Sequence, residues 1–129
     1  MQTDQAVPTT YAGTYQGRED QVRLVRRAMA ECLAGCPAAD DATLIVSELA
    51  SNAILHSASR GRFFTIRAEL HKDYVRVEVE DLGGPWRGRQ HDGRPHGLDV
   101  VEALTGPDGW GTETKRTGGR IVWARLDLA

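Results

Sequence analysis

Apolar residues follow two spacings along the chain, and the changes between them mark its elements. From Arg18 to Leu33, Val22, Val25, Met29 and Leu33 recur at intervals that keep them on one side of a helix, opposite arginines and glutamates, until Gly35 and Pro37 end the run. Behind an Asp40/Asp41 N-cap signal, Ala42, Ile45, Val46, Leu49, Ala53 and Ile54 repeat that spacing and predict a second helix through SELASNAILH. The period then falls to two. In RFFTIRAEL and YVRVEVE, Phe64, Ile66, Ala68 and Leu70, then Val75, Val77 and Val79, alternate with polar residues on either side of an HKD turn, which predicts two antiparallel strands with one polar face. Helical spacing returns at Leu98, Val101 and Leu104 and stops at Gly106-Pro107. The stretch GWGTETKRTGGRIVWARLDL predicts a closing hairpin that turns at Thr117-Gly118-Gly119, with Ile121 and Trp123 pointing inward. Near the start, TYAGTYQG predicts a short edge strand interrupted by Gly13, after a polar tail over residues 1–10.

Taken together, these elements predict an α+β two-layer sandwich, a mostly antiparallel sheet covered on one face by about three helices, in a single domain over residues 11–129. Residues 81–96, DLGGPWRGRQHDGRPH, keep neither period. A structureless segment of that length in so small a domain points to a functional lid or a disordered linker.

Composition narrows the partners. A chain of 129 residues with a formal net charge of -2 lacks the basic excess that nucleic acid or an anionic membrane attracts. The first residues show no secretory pattern and no later run is apolar for long enough to cross a bilayer, so a cytoplasmic protein is expected. Cys32 and Cys36 are too few for a disulfide framework or a zinc site and read as half-buried thiols.

Three stretches offer chemistry. Glu48 and Asn52 lie one helical turn apart, their side chains within roughly 40° of each other around the axis at the margin of the apolar stripe. A carboxylate and a carboxamide oxygen are hard ligands suited to Mg²⁺, which keeps water and takes its remaining contacts from phosphates; alone, E-x-x-x-N more often faces solvent. Asp81 ends a strand and is followed by Gly83-Gly84, an acceptor beside backbone that a ligand can approach closely, though D-x-G-G is also an ordinary turn. Gly97 opens a helix whose free N–H groups and dipole favour an anion, with Arg94 and His96 just before it able to add positive charge, or simply to face water in a basic loop.

In this order the motifs resemble the Bergerat-fold (GHKL) ATP-binding family, which includes DNA gyrase and the histidine kinases. LIVSELASNAILHSA, VEVEDLGGPW and HGLDVVEAL with GWGTE and GGRIVWARL are most similar to the anti-sigma-factor serine-protein kinases and their stand-alone actinobacterial relatives, from about Tyr15 onward. The resemblance implies ATP and Mg²⁺ as ligands, Asn52 holding the metal against the triphosphate, and Glu48 accepting a proton from the attacking hydroxyl or water. It implies that Asp81 takes the adenine amine, that Gly83 and Gly84 shape the adenine pocket, and that Gly97 and Leu98 cradle phosphates beneath a lid containing Arg94 and His96. Glu48 stands where histidine kinases commonly have Asn, which favours the serine-kinase branch, and His56 matches the residue that closes the motif. The implied partners are an anti-sigma-factor antagonist-like protein, a sigma factor, or both, with a homodimer compatible, and neither nucleic acid nor membrane. Two departures stand out: Pro95 replaces the first glycine of the lid motif, and Ile121 lies near the place of a threonine that assists the adenine-reading aspartate. They support an alternative, a catalytically weak or inactive module that keeps the fold for nucleotide or partner binding.

Overall fold

The computed structural model describes residues 8–57, 59–83 and 97–128. In chain order they form β1 (Thr9–Gln16), α1 (Val22–Cys32) led by a 3-10 turn (Glu19–Gln21), α2 (Ala39–His56), β2 (Phe63–Leu70), β3 (Tyr74–Asp81), α3 (Gly97–Thr105), β4 (Trp110–Thr114) and β5 (Arg120–Asp127). The strands make one sheet in the order β1-β2-β3-β5-β4, antiparallel at every junction. α2 lies across β2, β3 and β5, with α1 and α3 packed along its flanks, so the expected two-layer sandwich is the observed one.

Strand alternation builds the lower half of the core. Phe64, Ile66 and Ala68 from β2, Val75, Val77 and Val79 from β3, and Val122, Ala124 and Leu126 from β5 all turn towards the helices. Val25, Met29 and Leu33 from α1 and its C-terminal end, and Ile45, Val46, Leu49 and Ile54 from α2, meet them with almost no exposed surface. Each large side chain buried in this way stabilises the fold by roughly 1.5–3 kcal/mol against exposure, before chain entropy is subtracted. α2 is buried more widely than a one-face stripe requires because it touches the sheet and both other helices; Ser47 is buried too, and its hydroxyl donates to the Leu44 carbonyl at 2.9 Å.

The other sheet face is charged. Arg67 bonds Glu78 at 2.7 Å and Glu80 at 2.8 Å, and Lys115 reaches Glu80 at 2.7 Å, so the Lys115 ammonium, with help from Arg67, holds Glu80 below the usual carboxylate range. This lattice keeps the face soluble without a second layer of helices. Among the described residues no helix is long and apolar enough to cross a membrane.

Three local expectations need correction. Asp40 and Asp41 do not cap α2: the N-cap is Ala38, without a side-chain bond, and the two carboxylates occupy the first turn, where they favour the positive end of the helix dipole. Gly13 does not interrupt β1, which pairs with β2 along its full length; a Cβ at Gly13 would stand 2.3 Å from the Tyr11 hydroxyl, so the glycine makes room for that ring, whose OH meets Tyr15 OH at 2.5 Å. Ile121 and Trp123 lie on the outer, charged face, opposite Glu80 and Glu78, while Val122, Ala124 and Leu126 point inward.

Candidate functional site

α2 presents Glu48 and Asn52 half-buried on the same side, one turn apart. Asn52 stands out by its hydrogen-bonding: its Nδ2 is fully buried and has no partner. Such a group costs about 1–3 kcal/mol when left unmade, so its retention on a core helix points to a ligand that completes it. A carboxamide there offers Oδ1 to a hard cation and Nδ2–H to a phosphate oxygen. Among the described residues no three His, Cys, Asp or Glu side chains gather to hold a metal. That donor set fits Mg²⁺ held chiefly by water and phosphate, with one or two protein oxygens.

Asp81 closes β3 on its inward side and is only 7 % exposed. The Gly83 N–H donates to its Oδ1 at 2.6 Å, and Arg120 Nε of β5, its register partner, lies 3.9 Å from the same oxygen. Burial pushes the Asp81 carboxyl above its ordinary value, with Glu80 adding to the rise, while the Gly83 N–H and the Arg120 guanidinium pull it back. The side chain is thus held through Oδ1 by a backbone donor, with a guanidinium close by.

Ser59, just beyond α2, ties the two halves of this region together. Its hydroxyl accepts from the Leu82 N–H at 2.9 Å, and its own N–H donates to Ser57 Oγ at 2.9 Å. The end of the helix that bears Asn52 is therefore bonded to the strand end that bears Asp81. Gly83 has φ +78, and a Cβ added there would fall 1.9 Å from the Gly118 carbonyl oxygen. The demand for glycine comes from this contact with the β4–β5 turn, which fixes the position of Arg120 beside Asp81.

α3 begins at Gly97, and its first N–H groups have no acceptor within the helix itself. The Leu98 side chain is core, 3 % exposed, so only its backbone is available to a ligand. Asp99 adds a carboxylate in the same first turn. Gly84, Arg94, Pro95 and His96 lie outside the described residues. His56 is the last residue of α2, at the negative end of its dipole.

Sequence reasoning missed Ser59 and Arg120. A lone serine after a helix carries no signal. Arg120 was legible in the alternation of β5 followed to its end: Arg120, Val122, Ala124 and Leu126 form one face, whereas the face of Ile121 and Trp123 continues into Arg125 and Asp127.

A groove of about 960 Å³ lies at the opposite end of the strands from Asp81, lined by Tyr74, Arg76, Pro107, Trp123 and Arg125 among others. Its arginines are already engaged, Arg76 with Glu78 and the Trp123 ring, Arg125 with Asp127 and the Tyr74 ring. Size alone does not make it the chemical site, and the buried polar atom without a partner lies at Asn52.

Comparison with known proteins gives two results. A family model described as a histidine kinase-like ATPase domain matches residues 15–120. The crystal structure of the RsbU and RsbW domains of Rv1364c from Mycobacterium tuberculosis has a similar fold, with a TM-score of 0.73 and 24% sequence identity over 92% of this chain and 32% of that one. The present chain thus spans about a third of the length of that protein. No curated protein matches it.

Proposed function

The chain belongs to the histidine kinase-like ATPase domain family, and on that premise we propose that it is an ATP- and Mg²⁺-dependent serine/threonine-protein kinase of the anti-sigma-factor type. The observation that carries this reading is the buried, unpartnered carboxamide of Asn52, one turn from Glu48 on the helix bonded to the Asp81 strand end. Asp81 Oδ2 accepts the amine of the base. Asn52 gives its oxygen to the metal and its N–H to a phosphate oxygen, and the free N–H groups that open α3 from Gly97 receive the remaining phosphate charge. Mg²⁺, when bound, neutralises charge that develops on the transferred group. Glu48 accepts the proton of the attacking hydroxyl. Most of the acceleration comes from holding the reactants in line rather than from covalent help by the protein.

The partner that supplies the hydroxyl is an anti-sigma-factor antagonist-like protein, and a sigma factor is the second candidate for capture, in keeping with the RsbW domain named in the structural relative. The test is transfer itself. Incubated with labelled ATP and candidate antagonist proteins, the wild-type chain labels a partner serine or threonine, while Glu48→Gln binds nucleotide and transfers none. Equal transfer by Glu48→Gln removes the proposed base; nucleotide binding without transfer to any partner favours a binding module that has lost the reaction.

A further inference from the structure

Glu80 and Asp81 are neighbours in the chain but leave β3 on opposite faces of the sheet, Asp81 towards the helices and Glu80 towards the charged outer side. Both oxygens of Glu80 are engaged there by cations from different parts of the fold. Arg67 Nη2 of β2 donates to Oε1 at 2.8 Å, and Lys115 Nζ, one residue past the end of β4, donates to Oε2 at 2.7 Å. The pair is part-exposed, with side-chain exposures of 44 % for Lys115 and 21 % for Glu80.

Lys115 also opens the β4–β5 turn. Its N–H donates to the Gly119 carbonyl at 2.7 Å, and its carbonyl accepts from the Gly118 N–H at 2.9 Å. The same turn presses on the inner site at two points: a Cβ at Gly83 would fall 1.9 Å from the Gly118 carbonyl oxygen, and a Cβ at Gly119 would meet the Asp81 carbonyl oxygen at 3.2 Å. The ion pair lies directly over Gly119, with Lys115 Cδ and Glu80 Oε2 3.7 and 3.8 Å from that Cβ position. The contacts therefore close a ring, from Asp81 and Gly83 through the turn to Lys115, and from Lys115 through Glu80 back to Asp81.

We propose that Lys115 is a positioning residue of the nucleotide site. By strapping the β4–β5 turn to Glu80 it sets Asp81 and Gly83 for the purine end of the nucleotide, acting through backbone from the far face of the sheet. The proposal rests on the reading above that Asp81 meets the base. The phosphate end is held separately, by Asn52 on α2, which is tied to β3 through Ser59 and Leu82 rather than through the turn, and by the start of α3.

Displacement of a fluorescent ATP analogue from the full chain in Mg²⁺, by ATP and by inorganic tripolyphosphate, reads the two ends separately. Lys115→Met is expected to weaken ATP about two- to fivefold, the scale of one part-exposed ion pair, and to leave tripolyphosphate unchanged. Lys115→Arg, which keeps a cation within reach of Glu80, should restore ATP to the wild-type value. Glu80→Gln should reproduce the loss, and combining it with Lys115→Met should lose no more than either change alone, because both break the same contact. A general loosening of the fold would instead weaken both competitors together and add up in the double variant. That result, an unchanged ATP affinity in Lys115→Met, or tripolyphosphate that fails to compete with wild type at about hundredfold excess overturns the proposal with the nucleotide site intact. An analogue that does not bind wild type, or that binds Asp81→Asn equally well, overturns the base-site reading and this inference with it.

Discussion

Asp81 and Arg120 face each other across the β3–β5 register, on the inward side of the sheet, with 3.9 Å between Oδ1 and Nε. Their pairing makes the end of the sheet next to α2 an electrostatic site inside the helix layer rather than a plain turn. Burial nonetheless dominates the carboxyl, whose pKa lies above the ordinary value of 3.8.

That direction fixes a pH dependence. A folded-state pKa above the unfolded one means that the folded protein binds the Asp81 proton more tightly, so this group's contribution to stability is full below pH 3.8 and is lost as pH rises through the raised value. Comparing wild type with Asp81→Asn by chemical denaturation from pH 4 to 7 should show wild type losing stability relative to the variant as pH increases. A difference that stays flat, or that grows in favour of wild type, contradicts the carboxyl's raised pKa.

Asn52→Ala should separate stability from function. The variant removes a buried donor with no partner and gains helix propensity of up to roughly 0.7 kcal/mol, so the free protein should melt at the same temperature or higher. Its melting temperature should then fail to rise when Mg²⁺ and nucleotide are added. A large destabilisation of the free variant would assign Asn52 to structure instead.

Ser59→Ala should leave the half-buried Leu82 N–H without its partner and cost about 1–3 kcal/mol in denaturant unfolding. Amide exchange at Leu82 and Gly83 should accelerate in the variant, because both lie at the junction that serine holds. Unchanged protection there would show that the strand end is fixed without it.

Gly83→Ala should destabilise by at least about 1–2 kcal/mol, since φ is +78 and the added methyl meets the Gly118 carbonyl. Gly35→Ala provides the comparison: its φ is +83 but no atom lies within 4 Å of the added Cβ, so only the backbone penalty applies. Equal losses at the two positions would deny the close contact between the β3 end and the β4–β5 turn.

Much of the fold was legible from periodicity. The alternation in β2 and β3 and the helical spacing of α1 belong to elements with one dominant buried side, where sequence pattern and packing coincide, and α2 kept a helical spacing although it is buried on more than one side. The last hairpin misled because Ile121 and Trp123 are large and apolar yet stand over a charged lattice, where Trp123 packs beneath the Arg76 guanidinium at 5.5 Å. Size suggested the core, and the weaker series Val122, Ala124 and Leu126 occupied it. The same slip of one residue hid Arg120: the threonine-like position was sought at Ile121, which faces Glu80, whereas Arg120 is the residue that faces Asp81. Glu48, Asn52 and Asp81 could be chosen from spacing and resemblance, but the buried state of the Asn52 amide and the Ser59 link to Leu82 depend on contacts between distant segments that no local pattern encodes.

The most direct test is a titration of the wild-type chain with a fluorescent ATP analogue, with and without Mg²⁺, repeated on Asn52→Ala and Asp81→Asn. Saturable, metal-dependent binding in wild type that is lost in both variants is the expected result. Binding indifferent to the metal, or retained by both variants, would contradict the claim that α2 and the end of β3 form a single magnesium-nucleotide site.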